Sequence, residues 1–412
     1  VEKMAKSEIN QSSIMAGVDL KYKEEDLYKG PFVIKGMEGT AKILQVDPKK
    51  LYKEKFEKVE KAAIETKEKN IEDSLLKFGV KFDKWSKESS LHESGKVEKV
   101  LSELESKGYV IEEDGAKWLK INEDQKAVLV KSDGSKTYLM NDIAYTKDKF
   151  ERGFDKAINV WGADHHGDAP RLKGGVKALG FLPERLEILL HQLVSLKKEG
   201  QVVRMSKRAG NIQKLDDLIG EVGKDVARFF FLTKDLNTHM EFDIVLTKEQ
   251  SSKNPVYYIQ YAFARINSVF AKSQNLNISK HRPALLKEKE ELDLIRYLTR
   301  FPEVVFDINQ NYQVHHLAQY ALELANRFHK FYEKHRIISE DKNLTQARLA
   351  LAKATQFILG ESLSLMGIEK PEHFHGQSIL PLLKYQGVSW RDKIFYEYYW
   401  EYDYPQTPTM HG

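Results

Sequence analysis

Residues 156–180 read "KAINVWGADHHGDAPRLKGGVKALG", and this stretch decides the fold class of the chain. The apolar run near its start predicts a buried strand that ends in the polar loop "GADHHG". The segment "APRLKGGVKALG" predicts the next helix, which stops at Gly180. A strand, a loop and a helix in this order are typical of α/β folds, in which ligands bind outside the carboxyl ends of the strands. The loop at 162–167 is therefore a candidate ligand site.

A second unit of the same kind follows. The segment "RLEILLHQLVSL" predicts another strand, "KKEGQ" predicts a tight turn, and "VVRMSKRAGN" at 202–211 leads into the helix "KLDDLIGEVG". The loop combines Arg204, Ser206, Lys207 and Arg208 with Gly210. Cations beside a close backbone approach stabilise the charge that grows on leaving phosphate oxygens, although a solvated basic turn has the same composition. Both loops are expected at one edge of the sheet, where they would face one pocket.

Different patterns flank this α/β region. Upstream, two charged amphipathic helices at 52–76 and 94–108 and two hairpins, turning at 114–115 and 133–134, predict a small β-containing module. Downstream, residues 251–365 predict long amphipathic helices and hence a bundle. Tyr257, Tyr258 and Tyr261 are candidates for stacking on RNA bases, with bundle core as the alternative. The C-terminal residues are aromatic and have no helical period, which predicts an irregular tail.

The composition limits the function classes. The chain has 412 residues, with 65 Lys and Arg against 61 Asp and Glu, and its net charge of +4 permits an anionic partner without requiring one. With 0 cysteines, disulfides, thiol catalysis and cysteine-ligated zinc are excluded. No apolar run approaches the roughly 20 residues that cross a bilayer, and the first residues have no signal-peptide pattern, so we expect a cytoplasmic protein without a membrane partner. Because the sequence begins at Val1 without an initiator Met, its N-terminus is expected to be a cut edge.

Two sets of polar residues are candidate ligand-binding groups. Asp164, His165, His166 and Asp168 are plausible metal ligands, but neighbours on an extended segment point to opposite sides, and no further cluster completes a coordination shell. We therefore favour a nucleotide-facing loop without a protein-bound metal, and a hydrogen-bonded structural His165 is the alternative. In "TYLMND", Tyr138 and Asp142 are placed in a strand leaving the second hairpin, where a phenol and a carboxylate would grip a cationic ligand. The pair by itself favours the alternative of an ordinary strand Tyr and a helix-capping Asp.

Taken in order, these stretches resemble the class I arginyl-tRNA synthetases. The resemblance is carried by "KFGVKFDKWSKESSLHESGKVEKVLSELESKGYV", "LVKSDGSKTYLMNDIAY", "KFERGFDKAINVWGADHHGDAPRLKGGVKALG", "VVRMSKRAGN", "VGKDVARFFFL" and "FDIVLTKEQSSKNPVYYIQYAFAR", and it covers about Tyr28 to Leu365. It implies the second half of a Rossmann-like nucleotide fold with an inserted α+β module, followed by an all-α anticodon-binding bundle. The expected domains are 1–125 for the partial insertion module, 126–250 for the catalytic half, 251–370 for the bundle and 371–412 for the tail.

The resemblance also implies the reaction and the residues that perform it. The expected activity is ATP-dependent activation of L-arginine, with Mg2+ accompanying ATP, and transfer to tRNA(Arg) by a monomeric enzyme. The residues implied for contacts with the ATP phosphates are Ser206, Lys207 and Arg208, those for arginine are Tyr138, Asp142 and His165, and those for the rest of ATP are Gly162, Asp164, His166, Met205 and Gly210. Arg204 stands where the family usually has Lys, which leaves the role of that position less defined.

Two departures from the family pattern produce rival hypotheses. The H-x-G-H signature of class I synthetases does not occur in the 412 residues, so the chain is expected to be an inactive fragment or a tRNA-binding module without catalysis. Residues 376–412 resemble a C-terminal portion of the sulfatases, and the join is expected between Gly360 and Gly376. Together with "DHHGD", this tail suggests a metal-dependent phosphoester or sulfate-ester hydrolase as a further rival. The sulfatase motif C/S-x-P-x-R is missing, so an active sulfatase is not expected.

Overall fold

The structure is a computed structural model that describes residues 2–23, 27–198, 201–202, 213–248, 254–273, 278 and 281–370. Residues 203–212, with most of the predicted basic loop, and the tail from 371 onward lie outside the described residues. The chain divides into two compact units, which we name by their content. The helical unit contains 1–79, 197–233 and the chain from 243 onward, whereas the α/β unit contains 80–196 and 234–242. The domain limits expected from the sequence remain predictions.

Helices dominate the helical unit. Its helices are α1 Glu2–Met15, α2 Pro31–Leu44, α3 Phe56–Lys77, α8 Leu215–Val222, α9 Lys224–Phe231, α10 Ile244–Lys248, α11 Pro255–Lys272, α12 Lys289–Leu298, α13 Phe301–Asn311, α14 His315–Lys334 and α15 Lys342–Leu365. The bundle expected from the sequence is formed by α11 to α15, whose buried faces meet in one core around Phe328 and Phe331. No helix of the described residues is long and apolar enough to cross a membrane.

The α/β unit combines short strands with four helices. Its elements are α4 Glu88–Glu93, α5 Lys96–Ser106, β1 Val110–Glu113, β2 Ala116–Lys120, β3 Lys126–Val130, α6 Tyr138–Glu151, β4 Ala157–Gly162, α7 Asp168–Ala178 and β5 Leu186–His191. Strands β1 to β3 form an antiparallel sheet, and β4 pairs with β5 in parallel. The remaining strands of the chain are β6 Val194–Lys198, β7 Gln201–Val202 and β8 Met240–Asp243, and Lys197 and Lys198 of β6 pair antiparallel with β7. The parallel pair and the helix after β4 agree with the predicted α/β order.

Four predictions about local structure were wrong. The single strand expected in "RLEILLHQLVSL" is two strands, β5 and β6, which belong to different sheets. The second hairpin is reduced to one bridge between Val130 and Lys136, because Thr137 then caps a helix by accepting from the backbone N–H of Met140. Tyr138 and Asp142 therefore lie on helix α6 and not on a strand. Strand β4 is also not fully buried, since Val160 is 61% exposed on the face opposite the unit's core.

Helix α7 packs closely against α6, and this contact fixes the position of the loop before α7 relative to α6. A Cβ built on Gly175 of α7 would overlap with the side chain of Ile143 in α6, so a larger side chain would push the helices apart. Ile143, Met140 and Leu172 are fully buried at this contact. The first turn of α7 and the loop before it are thereby held beside α6.

His329 is a buried titratable group in the bundle. The residue is 4% exposed, and its Nε2 lies 3.4 Å from the carbonyl oxygen of Tyr258. Its ring stacks on that of Tyr261, with 5.4 Å between the ring centres. Burial, with the charge of Arg265 nearby, lowers the pKa of His329 to about 4. Tyr258 was a candidate for stacking on RNA bases, with a place in the bundle core as the alternative. Its ring packs against the bundle core, which agrees with that alternative for this residue.

We expect the stability of the bundle to fall as the pH drops below about 6.5, the ordinary pKa of histidine. The lowered pKa means that the unfolded state binds the proton first, so the contribution of neutral His329 is complete above that pH and disappears as the pH falls through about 4. Near pH 5 the loss amounts to about 2 kcal/mol. Denaturant melts of His329→Gln at pH 7 and pH 5 should show a smaller difference than those of the unaltered chain. The exposed His316→Gln is the control, and equal pH dependence in both variants would contradict this account.

Candidate active site

A cleft of about 110 Å³ lies in the α/β unit between α6 and the segment that leads into α4. The lining residues come from only these two places in the chain: Ser86, Lys87, Glu88, Leu91, Tyr138, Asn141, Asp142 and Tyr145. Tyr138, Asp142 and Tyr145 are spaced by four and three residues, so they share one face of α6. The helix, and not the strand expected from the sequence, brings Tyr138 and Asp142 together.

The cleft is lined by two carboxylates, Glu88 and Asp142, and by one cation, Lys87, so its lining carries a net negative charge. Burial raises the pKa of Asp142, and the nearby carboxylates of Glu88 and Asp168 raise it further, while Lys149 and His165 act in the opposite direction. A carboxylate that is partly buried beside another carboxylate is stabilised when a cation enters between them. The cleft is therefore suited to a cationic group.

Lys149 does not neutralise this charge. Its Nζ donates a hydrogen bond to Oδ1 of Asn159 at 2.7 Å and lies 4.5 Å from the centre of the Tyr145 ring. Burial, followed by the charge of Arg152, lowers the pKa of Lys149. Since the pKa of Asp142 remains raised despite Lys149, the cleft still favours an added cation.

The polar loop after β4 lies within electrostatic reach of the cleft. Gly162 ends the strand, and residues 163–165 form one 3-10 turn before α7. Nδ1 of His165 lies 3.2 Å from Oδ2 of Asp168, and both residues influence the pKa of Asp142. Asp164 and His166 are exposed at the end of the strand. His165 therefore lies close enough to Asp142 to lower its pKa.

The stretch "DHHGD" makes contacts within itself. His165 pairs with Asp168, which also accepts a hydrogen bond from Arg171 at 3.2 Å. Within the described part of the chain, no three His, Asp or Glu side chains are grouped so that they would hold a metal ion.

Only two of the eight residues that line the cleft, Tyr138 and Asp142, were predicted from the sequence. Glu88, Asn141 and Ser86 were not named as site residues, although Glu88 lies in a stretch that carried the family resemblance. Glu88 joins the site because α4 packs on α6, across about fifty residues of sequence that no periodicity connects. The predicted phosphate contacts, Ser206, Lys207 and Arg208, and the ATP contacts Met205 and Gly210 lie outside the described residues.

Comparison with protein families assigns both parts of the chain. The family described as "tRNA synthetases class I (R), catalytic domain" matches residues 18–253, and the "DALR anticodon binding domain" matches residues 259–374. The chain belongs to the class I arginyl-tRNA synthetases. Its fold is accordingly the catalytic fold of class I synthetases joined to a helical DALR domain, as the sequence predicted.

Individual relatives agree with this family. The arginine–tRNA ligase of Carboxydothermus hydrogenoformans is 46% identical over 328 residues, which are 78% of this chain and 59% of the relative. That of Heliobacterium modesticaldum is 41% identical over 387 residues, or 90% of this chain and 68% of the relative. The structure of an inferred arginyl-tRNA synthetase from Campylobacter jejuni superimposes with a TM-score of 0.77 at 29% identity, covering 90% of this chain and 82% of that one. The chain spans somewhat over half the length of the curated relatives that it matches first, at 59% and 57%.

Proposed function

We propose that this chain functions in the ATP-dependent activation of L-arginine and its transfer to tRNA(Arg). The observation that carries the proposal is the acidic cleft, in which Asp142 and Glu88 face one cavity and in which burial, followed by the charge of Glu88, raises the pKa of Asp142. Of the common amino-acid side chains, the arginine guanidinium is the one that stays protonated under all ordinary conditions and binds carboxylates through two parallel hydrogen bonds.

Three residues of the cleft, together with His165, have roles in this proposal. Asp142 accepts two N–H donors of the guanidinium, and Glu88 neutralises the same charge from α4. Tyr138 is 83% exposed at the cleft, so its ring is available to cover the aliphatic part of the substrate. His165, paired with Asp168, follows the end of β4, where the rest of arginine would meet ATP in this proposal.

The ATP site is proposed from the family and from the position of the loops. Gly162, Asp164 and His166 follow β4, and Met205 and Gly210 belong to the basic loop. In this proposal, Ser206, Lys207 and Arg208 hold the phosphates that Mg2+ accompanies and stabilise the leaving pyrophosphate. The DALR bundle would bind tRNA, in a cytoplasmic enzyme that acts as a monomer. The sulfatase resemblance of the tail and the join between 360 and 376 stay predictions.

Binding of free amino acids to the 412-residue chain tests the arginine site without requiring catalysis. We expect calorimetry to detect saturable binding of L-arginine, and much weaker binding of L-citrulline, because citrulline has the same length but no charge. L-Lysine should also bind more weakly, since an ammonium cannot pair with a carboxylate through two parallel bonds. If L-arginine and L-citrulline bound equally, the acidic cleft would not be the arginine site.

A further inference from the structure

Asn141 carries an unused hydrogen-bond acceptor in the wall of the cleft. The residue is 9% exposed, and its Nδ2 donates to Oε1 of Glu88. Its Oδ1 is buried and has no hydrogen-bond partner among the described residues. Buried polar atoms without a partner are rare in native proteins, and one that lines a cavity commonly receives its bond from a bound molecule.

The chemistry of Glu88 fixes which amide atom is left over. An ionised carboxylate only accepts hydrogen bonds, so the NH2 group of Asn141 must face Glu88. The oxygen is then the free atom, and it needs an N–H or O–H donor. Asp142 is the next residue in the helix, but its ionised carboxylate only accepts hydrogen bonds and does not supply that donor.

We propose that Asn141 is a specificity-determining residue, whose Oδ1 accepts a hydrogen bond from the guanidinium of the substrate. The inference rests on the proposed arginine site and adds a third acceptor to it. Successive residues on a helix are rotated by about 100°, so Asn141 approaches the ligand from a different direction than Asp142. A guanidinium has five N–H donors in one plane, more than Asp142 alone is able to accept.

The neutral amide explains how the cleft adds this acceptor without adding charge. The pKa of Asp142 is already raised by burial and by Glu88, and a third carboxylate would make ionisation of the pair less favourable still. The amide instead donates to Glu88 and holds that carboxylate in place. A guanidinium satisfies all three side chains at once, whereas an ammonium has only three donors arranged around a single atom.

A double-mutant cycle separates a direct contact from an effect transmitted through Glu88. Asn141→Ala is expected to weaken binding of L-arginine to the 412-residue chain about tenfold, as expected for a hydrogen bond to a charged group. In a Glu88→Ala background the same substitution should still cost about fivefold, because the Oδ1 contact does not depend on Glu88. Asn141→Ala should also lower the ratio of arginine to lysine affinity, an effect that a merely structural role would not produce.

The possible results discriminate between the proposals. Asn141→Leu, which fills the volume of the amide, provides a second test if the Ala variant fails to fold. Unchanged arginine binding in the folded variant, or no further loss in the Glu88→Ala background, would overturn the direct contact while leaving the arginine site intact. Failure of the unaltered chain to bind L-arginine would instead overturn the proposed function and this inference with it.

Discussion

Asp142→Asn is expected to weaken L-arginine binding about a hundredfold while raising the melting temperature of the ligand-free chain. The loss of affinity follows because the substitution removes a carboxylate from a charge-assisted pair, and truncating one partner of such a pair commonly costs several kcal/mol. The gain in stability follows because the ligand-free cleft holds Asp142 partly buried beside Glu88, and these surroundings raise the pKa of Asp142. A site that binds a cation is thus less stable while it is empty.

The pH dependence of the stability gain provides a second signature. The pKa of Asp142 is raised in the folded state, so the cost of ionising it is present at neutral pH and disappears as the pH falls through that pKa. The difference in melting temperature between Asp142→Asn and the unaltered chain should therefore be largest near pH 7 and shrink in acid. Asp124→Asn makes the same chemical change in an exposed turn and is the control. An Asp142→Asn variant that binds L-arginine normally would remove this residue from the site.

The sequence predicted the order of elements better than it predicted the site. The segment after β4, the helix stop at Gly180 and the long amphipathic helices of the bundle all follow from local patterns, and the structure confirms them. The segment "TYLMND" was misassigned because its Tyr and Thr favour a strand, while the signal that decides the outcome is the capping side chain of Thr137. Because Thr137 caps a helix at this point, Tyr138 and Asp142 lie four residues apart on one face of α6.

Local sequence patterns did not predict which residues of distant segments contact each other. Glu88 and Asn141 meet because α4 packs on α6, and neither residue type is unusual for a helix surface. The family resemblance included both stretches but assigned a role only to Tyr138 and Asp142. The same difficulty applies to the bundle, where a buried ion pair joins Glu291 and Arg348 across 57 residues of sequence.

Arg348→Met is expected to destabilise the bundle by about 3–5 kcal/mol, because it leaves a carboxylate buried without its cation. Nε of Arg348 donates to Oε1 of Glu291 at 2.7 Å, and its NH1 donates to the carbonyl oxygen of Arg336 at 2.8 Å. Glu291 is 0% exposed and Arg348 is 8% exposed, so water cannot replace the lost partner without opening the packing of α12 against α15. The free energy that opens α15, measured by native-state hydrogen exchange, should fall by this amount.

The double variant Glu291→Gln with Arg348→Met shows whether the unpaired charge, and not lost packing, causes the damage. Glutamine removes the charge but still accepts from the backbone N–H of Glu288, which Oε2 of Glu291 contacts at 3.0 Å, so the start of α12 keeps its cap. Because replacing both members of a buried ion pair is often nearly neutral, most of the lost stability should return. The control is Arg296→Met, which breaks an exposed ion pair with Asp293 and should change stability by no more than about 0.5 kcal/mol. If the double variant were as unstable as Arg348→Met alone, the packing of the arginine side chain and its bond to Arg336 would be the source of the stability, and the buried charge of Glu291 would not.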